Sequence, residues 1–561
     1  MPTQSAYDLK SVKLPRAEGG LLRLLVTLAE SPLTAPLIVR SLLEPGGVYD
    51  MRGWRYDEAP TFMPFLPYEP TDGTPPVNLD AIPTQPAEPG EFHFHTVHDY
   101  ADAYRRGETT PVEVAERALA AIHASDHLTP PMRIFIASNR DDVLRQARES
   151  TERIRQGKPI SVFDGVPVAV KDEVDMLPYP TTVGTRFMGQ QPAREDSTVA
   201  ARMRAAGALL LGKTNMHEIG ITPSGVNPHH GTARNPYNSA HDTGGSSSGS
   251  GAAVAAGFCP VAIGADGGGS IRIPAAFNGV VGLKPTFGRV SEFGAAPIAW
   301  SVAHLGPIAA TAEDCALAYA VLAGPDPRDP NSQHQPPVTL DALNRDLRGI
   351  KLGIYRRWFE HADPEIVAAC TRAVEALEQR GAVICEIEIP ELYPASVAHA
   401  ITILMEMLAN MDRHWDRRSE FGFVTRLPLA AMRATTSTDY IQAQRIRTRT
   451  IQHFEDAFKV VDAIVTPTTA ITAPPIKESA LPYGESNLTQ VIEIIRFVNP
   501  QNFTGHPAIS IPVGYDSRGL PIGMQITGRA WQEDLLLRLA YAVGESVERR
   551  KPQVWYDLLG N

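Results

Sequence analysis

An alternation of short apolar runs with amphipathic helical segments constrains the fold of this chain more than any other feature of its sequence. The first helix of this alternation is predicted to begin after Thr110, where Thr-Pro-Val-Glu forms a capping box with proline at the first helical position. Apolar runs that indicate buried strands lie at 166–170, 208–211, 260–264, 351–355, 383–389, 463–466, 508–513 and 523–527. Because the alternation extends over about 450 residues, we predict an α/β fold: a large three-layer α/β/α body with a central mixed sheet.

The first 90 residues differ from this pattern and are predicted to form an N-terminal helical appendage. Nine prolines between residues 60 and 89 indicate an extended connector. The apolar stretch 21–43 is interrupted by two arginines, a glutamate and two prolines, whereas a membrane span needs about 18 or more mostly uncharged apolar residues. We therefore predict no membrane span but two short amphipathic helices, which pack on the body or touch a partner or membrane surface. The domain boundaries are placed at 1–90 and 91–561.

Composition limits the classes of function. The 52 basic and 63 acidic residues give a net charge of −11, which argues against a nucleic-acid partner because phosphate binding needs clustered lysine and arginine. The four cysteines are scattered and the N-terminus lacks the layout of a signal peptide, so we predict a cytoplasmic protein. His93, His95 and His98 have no nearby cysteine or convincing carboxylate set. They are interpreted as surface or core histidines, and no metal is predicted.

Two glycine- and serine-rich segments interrupt the alternation, at 243–251 and 264–270. Segments of this composition are usually flexible linkers. Here, however, the first leads directly into the small-residue helix predicted at 252–256, and the second follows a predicted buried strand. Neither segment fits the P-loop pattern or the dinucleotide-binding fingerprint. We therefore interpret both segments as ordered parts of the fold, and neither as a P-loop or a dinucleotide-binding loop.

Two serines in these segments are candidates for a nucleophile. Ser247 is the centre of a Gly-x-Ser-x-Gly match, but a nucleophile elbow must follow a β-strand, and residues 235–242 before it are typical of a loop. Ser270 follows a predicted strand and lies on a triple-glycine turn at the start of a helix. Several backbone N–H groups can converge on one point in such a turn, as an oxyanion hole requires. Ser270 is the stronger candidate, although the local sequence supplies no base.

Several longer motifs resemble those of the amidase signature hydrolases. They are GVPVAVKDEVD, KTNMHEIG, NPHHGTARNPYN, GGSSSGSGAAVAAG, ADGGGSIRIPAAFNGVVGLKPTFGRVS, DAIVTPTT, NFTGHPAISIPVG and GLPIGMQITGR. Their order and spacing together are specific, and they lie between residues 95 and 550. The resemblance implies an amidase that hydrolyses a carboxamide C–N bond of a small molecule without a metal or organic cofactor. Ester, carbamate or hydrazide substrates also fit, and a homo-oligomer is compatible with the family.

The resemblance also implies roles for individual residues. Ser270 would be the acyl-forming nucleophile, Ser246 the bridging serine after a cis peptide bond, and Lys171 the base. The expected oxyanion and substrate-binding backbone comprises Gly220, Gly267, Gly268, Gly269 and Ser270. Asp266 and Arg272 are interpreted as structural support. A buried, neutral lysine is a chemically reasonable base, since burial disfavours its ammonium form.

Two other roles are weighed against a self-sufficient amidase. The first is a glutamine-amidase subunit of a tRNA-dependent amidotransferase, which would pass ammonia to a partner protein. The long N-terminal extension favours the self-sufficient hydrolase over this role. The second is a non-catalytic binding protein on the same fold, which the presence of all three triad residues disfavours. The helical stretch 390–450 is expected to form part of the substrate-pocket wall.

Overall fold

The computed structural model describes residues 7–11, 13, 16–68, 77–79, 82, 92–332, 335–340, 343 and 346–560. Much of the connector predicted at 60–89 lies outside these residues. The strands are β1 (Ala17–Glu18), β2 (Phe135–Ala137), β3 (Pro167–Lys171), β4 (Leu209–Thr214), β5 (Arg234–Asn235), β6 (Asn238–Asp242), β7 (Val261–Ala265), β8 (Val281–Lys284), β9 (Leu305–Ala309), β10 (Lys351–Ile354), β11 (Val383–Glu386), β12 (Ala463–Pro467), β13 (Glu485–Ser486), β14 (Ala508–Tyr515) and β15 (Pro521–Gly528).

The helices cover both faces of the sheet and form the N-terminal region. They are α1 (Gly19–Glu30), α2 (Ala35–Leu43), α3 (Val48–Gly53), α4 (Val97–Arg106), α5 (Pro111–Asp126), α6 (Arg140–Arg155), α7 (Thr198–Ala205), α8 (Ser248–Ala255), α9 (Arg272–Phe277), α10 (Ala312–Leu322), α11 (Arg356–Phe359), α12 (Pro364–Gln379), α13 (Leu392–Met411), α14 (Phe423–Met432), α15 (Ser437–Phe458), α16 (Leu488–Ile495), α17 (Asn499–Thr504) and α18 (Glu533–Gly544). The capping box predicted at Thr110 is present at the start of α5.

One mixed sheet of eleven strands organises the body, in the order β11-β10-β12-β15-β14-β8-β9-β7-β3-β4-β2. Strand β3 is parallel to both β4 and β7, whereas β14 is antiparallel to both β8 and β15. This confirms the predicted three-layer α/β/α architecture with a mixed sheet. The parallel pair β3 and β7 matters most for function, because the carboxyl ends of parallel neighbours lie at the same edge of a sheet.

Two central strands are absent from the set that the sequence predicts. Strands β8 and β9 pair with each other and join β14 to β7. Pro307 lies inside β9, opposite Ile263 of β7. Proline lacks the N–H that a central strand normally uses, so its presence argues against a strand when only the sequence is read. The last helix is shorter than its periodicity indicates, since α18 ends at Gly544 and not near residue 549.

The N-terminal helices form a second apolar core with helices of the body. Leu22, Val26 and Val39 are buried in a cluster with residues of α13, α14 and α15, such as Ile401 and Ile446. The opposite faces of α1 and α2, with the turn between them, carry exposed leucines at positions 21, 24, 33 and 37. The predicted amphipathic helices therefore pack on the body with one face and leave apolar side chains on the other.

One described helical segment, 392–420, is long and apolar enough to cross a membrane by length and composition, and the sharply bent pair α1 and α2 passes the same test jointly. The apolar window of segment 392–420 is 56% buried inside the body. Core helices of soluble proteins have the same properties. The test is therefore weak support for a membrane span.

Candidate active site

Lys171 is the last residue of β3, and its side chain is 1% exposed. Its amine nitrogen lies 2.8 Å from Ser246 Oγ, 3.2 Å from the Ala265 carbonyl oxygen and 2.8 Å from Glu173 Oε2. A solvated lysine is the usual expectation for a Lys-Asp-Glu sequence. Here, instead, the strand end points the amine into the body, where three oxygen atoms surround it.

Ser246 precedes helix α8, and the peptide bond between Gly245 and Ser246 is cis. The Ser246 carbonyl accepts a hydrogen bond from the His217 N–H at 3.1 Å. Gly220 faces the same serine: a Cβ on this glycine would lie 3.2 Å from Ser246 Oγ, and its φ is +72°. The position therefore suits glycine both in backbone conformation and in the space it leaves beside the serine.

Ser270 lies in the turn between β7 and α9, and it lines the same small cavity as Lys171 and Ser246. The parallel pairing of β3 with β7 produces this arrangement, because Val170 lies opposite Ile263. The turn after β7 therefore follows the sheet edge at which Lys171 ends. Residues separated by about 75 to 100 positions in the sequence are brought to one point by this register.

Asp266 holds the glycine turn in place from within. Its carboxylate accepts hydrogen bonds from the Gly269 N–H at 2.6 Å and the Ile271 N–H at 3.1 Å. It also accepts from Arg272 Nε at 3.0 Å, from Arg272 Nη2 at 3.1 Å and from Asn502 Nδ2 at 2.9 Å. The side chains of Asp266 and Arg272 are both fully buried. This network agrees with the structural role expected for these two residues.

The electrostatics of this pair follow from burial and charge. Burial alone would raise the pKa of Asp266, but the adjacent Arg272 charge and its hydrogen bonds outweigh burial and hold that pKa well below its usual range. Arg272 Nη1 donates to the side-chain oxygens of Gln501 at 3.2 Å and Gln525 at 2.7 Å, and Nη2 also donates to Asn502 Oδ1 at 2.5 Å. Asp266 is therefore a carboxylate at every pH at which the protein would be assayed.

One of the predicted oxyanion donors is already engaged. The Gly269 N–H donates to Asp266, so it is not free to bind a substrate oxygen in this structure. Gly269 is required by the conformation of the turn, because its φ is +111° and a Cβ at this position would lie 2.4 Å from Val498 Cγ2. Within the described residues, no hydrogen bond is formed by the N–H groups of Gly267, Gly268 or Ser270. These three are the candidate donors whose N–H groups are free here, and the oxyanion role expected for Gly269 stays a prediction.

His399 of α13 contacts the same turn. Its Nε2 lies 2.9 Å from the Gly267 carbonyl oxygen. Because a carbonyl can only accept, Nε2 must carry the proton and donate it. In a trans peptide the N–H points away from the C=O, so this bond turns the Gly268 N–H away from the histidine. Burial lowers the pKa of His399 to about 4, so the ring is neutral near pH 7.

The wall of the cavity opposite the triad is apolar. It is formed by Ile219, Ile298, Ala299, Ala303, Ile403 and Met407. The last two belong to α13, in agreement with the prediction that residues 390–450 form part of the pocket wall. A second cavity has a mixed lining, in which polar residues such as His217, Ser224 and Gln490 lie among apolar residues such as Leu481 and Ile494.

The alternative nucleophile Ser247 has a different environment. Its hydroxyl donates to the Ala265 carbonyl at 3.1 Å and accepts from the Ala265 N–H at 3.3 Å, and the residue is fully buried. Both bonds tie the start of α8 to the end of β7. A hydroxyl used in this way is a structural link, so the elbow interpretation has no support in the geometry.

The histidines near the connector have other partners. His95 Nε2 lies 2.8 Å from Asp557 Oδ1, and His98 Nδ1 contacts Glu313. His93, His95 and Asp99 form a described group whose donor atoms lie within 4.8 Å of one another. Asp99, however, accepts hydrogen bonds from the Thr96 N–H and hydroxyl at the start of α4. His95 and Asp99 therefore each have a partner within the protein.

Sequence reasoning does not identify Glu173, His399 or Asn502 as site residues. Glu173 and Asn502 lie inside the motifs quoted above, but nothing in the local sequence shows that they reach the Lys171 amine and the Asp266 carboxylate. Asn502 begins an Asn-x-Ser/Thr pattern, which by itself is typical of a surface loop. In the structure it is fully buried.

Comparisons with known sequences and structures give matches over most of the chain. A sequence profile described as Amidase matches residues 116–537. A fatty acid amide hydrolase of Oryza sativa subsp. japonica is 39% identical over 99% of this chain and 96% of its own length. One subunit of the glutamyl-tRNA(Gln) amidotransferase of Chloroflexus aggregans is 36% identical over 82% of this chain and 97% of its own. The peptide amidase of Stenotrophomonas maltophilia superposes with a TM-score of 0.70 at 29% identity, covering 82% of this chain and 98% of that one.

Proposed function

The chain belongs to the amidase signature family and is an amide-hydrolysing enzyme, and on this premise we propose that Ser270 is its nucleophile, with Ser246 and Lys171 as the proton relay. The observation that carries the proposal is the 2.8 Å contact between Lys171 Nζ and Ser246 Oγ at the wall of the cavity that Ser270 also lines. A lysine buried to this extent beside two serines has the components of a base and a relay.

In the proposed reaction, Ser270 Oγ attacks the substrate carbonyl carbon as its proton moves to Ser246. The Ser246 proton moves in turn to Lys171. Backbone N–H groups of Gly267, Gly268 and Ser270 would stabilise the negative oxygen. Collapse of the tetrahedral intermediate breaks the C–N bond, and the proton returns from Lys171 through Ser246 to the departing nitrogen. Water then repeats the sequence on the acyl-enzyme and releases the acid.

We further propose that the acyl group is a long aliphatic chain. The fatty acid amide hydrolase of rice matches 99% of this chain, and the apolar side chains of Ile298, Ile403 and Met407 line the cavity beside Ser270. Burial of such a chain against apolar walls is favourable by about 25 cal/mol per Å².

A glutamine-amidase role is the more distant alternative. The amidotransferase protein matches 82% of this chain, whereas the rice hydrolase also matches the N-terminal region. That region includes helices buried against the body, as at Leu22. Hydrolysis of small amides by the purified chain, without any partner protein, distinguishes the two roles.

The test combines a substrate panel with one variant. Amine release is measured for a homologous series of acyl amides, and kcat/KM is expected to rise with the length of the acyl chain. Lys171→Ala is then compared with wild type on one acyl amide and its ester. Amides need a proton on the leaving nitrogen more than esters need one on oxygen, so the amide rate should fall further. Equal losses on both substrates would indicate that the lysine only supports the loop.

A further inference from the structure

The Lys171 amine has an acidic partner that the proposed relay does not use. Glu173 Oε2 lies 2.8 Å from Nζ, and the two side chains are 9% and 1% exposed. Glu173 follows β3 by two residues and lines the same cavity as Ser246 and Ser270. Because solvent screens a buried pair little, this carboxylate acts on the amine more strongly than a surface partner would.

The hydrogen-bond partners of the amine suit both of its protonation states. A neutral lysine has two N–H donors and one lone pair, and an ammonium has three donors. The neutral form can donate to Glu173 and to the Ala265 carbonyl while it accepts the Ser246 proton. After transfer, the ammonium keeps both bonds and donates back to Ser246 Oγ. The geometry therefore needs no rearrangement as the proton moves.

Other carboxyl groups near this pair have their own partners or are driven toward the neutral form. Burial, together with the charges of Asp329 and Glu173, raises the pKa of Glu292 well above its usual value. Burial also raises the pKa of Glu406, against the hydrogen bonds it accepts from Ser301. Asp172, next to Lys171 in sequence, faces away and lies 3.6 Å from Lys213 Nζ.

The remaining titratable neighbours of Lys171 either form ion pairs of opposite charge or are neutral. Asp266, at the other side of the cavity, forms its ion pair with Arg272 at 3.0 Å. Burial lowers the pKa of His217 to about 4, which leaves that ring neutral near pH 7. Glu173 is therefore the carboxylate that acts on the Lys171 amine from closest range.

We propose that Glu173 is a positioning residue of the reaction: it orients the Lys171 amine toward Ser246 and stabilises the ammonium that forms when the proton arrives. The inference rests on the proposed role of Lys171 as base. No atom is transferred to Glu173. The arrangement is analogous to the carboxylate that orients and stabilises the histidine of a Ser-His-Asp triad.

The inference makes two linked predictions for Glu173→Gln. The amide keeps a hydrogen bond to Lys171 but removes the negative charge, so the lysine holds a proton less well. An opposite charge at this range favours the charged form by about 1–3 pH units. The acid limb of the kcat/KM profile should therefore move to lower pH by about one unit or more. On the alkaline plateau, kcat should fall about tenfold or more, because the developing ammonium has lost its counter-ion.

Asp172→Asn is the matched control. It removes the carboxylate of a neighbouring buried ion pair, one residue away, which faces Lys213 and the Thr182–Gly184 turn. This variant should lose thermal stability and leave the acid limb in place. A shift common to both variants would mean that any buried negative charge in the turn moves the profile, and it would overturn the specific role of Glu173.

The measurement is a set of pH profiles of kcat and kcat/KM on one acyl amide, with folding checked by circular dichroism. A lower kcat with an unmoved acid limb would show a merely structural role, and a rise in KM alone would show a substrate contact; either result overturns the inference. If Glu173→Gln does not fold, Glu173→Asp replaces it. This variant should move the acid limb of the kcat/KM profile in the same direction by a smaller amount. An acid limb that does not move would again contradict the inference. Failure of the relay itself is recognised separately, because Lys171→Ala would then either retain its amide rate or lose its amide and ester rates equally.

Discussion

Replacing Asp266 by asparagine should destabilise the protein and slow catalysis together. The Asp266 carboxylate accepts five hydrogen bonds, from Gly269, Ile271, Arg272 and Asn502. An asparagine side chain would turn its own NH₂ toward at least one of these donors. It would also leave the fully buried Arg272 guanidinium without its counter-charge. Breaking a buried ion pair from one side costs about 3–5 kcal/mol.

This free energy converts to a modest change in melting temperature because the chain is long. An unfolding entropy of about 2 cal/mol/K per residue, applied to 561 residues, predicts a decrease in Tm of about 3–4 °C. The decrease in kcat should be more pronounced than this small decrease in Tm. The same carboxylate holds the turn that carries Ser270, and displacement of a reacting group by about 1 Å can cost about a hundredfold in rate.

The pH dependence gives an independent check on this prediction. The pKa of Asp266 is lower in the folded than in the unfolded protein, so its stabilisation is complete above a pH of about 4 and is lost as the pH falls further. The difference in Tm between wild type and Asp266→Asn should therefore be constant near neutral pH and shrink toward strong acid.

The assay is differential scanning calorimetry together with amide turnover, and Asp164→Asn is the control. Asp164 is also a buried carboxylate, which accepts hydrogen bonds from Ser150 at 2.7 Å and Arg153 Nη2 at 2.7 Å, but it lies among α6 contacts and does not line the site. This control should lose stability and keep its kcat. An Asp266→Asn protein with wild-type Tm and kcat would refute the role assigned to the network.

Three further predictions concern the relay, the pocket wall and the N-terminal helices. Ser246→Ala should lower kcat but leave some activity, because water can partly replace the hydroxyl; an undiminished kcat in a folded protein would remove Ser246 from the mechanism. Ile403→Asp should raise KM for long acyl amides more than for short ones, since it places a charge on the apolar wall; equal effects on both would argue against acyl binding there. Leu22→Ala should cost about 2–5 kcal/mol of stability by chemical denaturation, because its side chain is fully buried. Leu21→Ala, on the same helix but 54% exposed, should cost little, and equal losses would contradict the packing of α1.

The sequence is sufficient to predict the local frame of the site. Lys171 and Ser270 each follow an apolar run that forms a strand, and the glycine turn before Ser270 can be recognised from composition alone. Their proximity follows from the parallel pairing of β3 and β7. The sequence indicates that pairing only indirectly, through the alternation of strands and helices.

The contacts that surround the triad cannot be predicted in the same way. His399 is 132 residues from Gly267, and Asn502 is 236 residues from Asp266. No local pattern specifies which polar residue of a distant helix reaches a given carbonyl. Gly269 shows that a correct motif does not specify the partner of each group. A glycine in this motif is expected to offer an N–H donor to the substrate, but the Gly269 N–H donates to Asp266 in this structure. The periodicity of the sequence predicts helices and strands, whereas the hydrogen-bond partner of a side chain depends on how those helices and strands pack together.

The central claim is that Ser270 forms the acyl-enzyme, and covalent labelling tests it most directly. The protein is treated with a fluorophosphonate, and the adduct is located by intact mass followed by peptide mapping. We predict one adduct, on Ser270, that is formed more slowly in the Ser246→Ala and Lys171→Ala variants. An adduct on Ser247, or unchanged labelling of Ser270→Ala, would contradict the account.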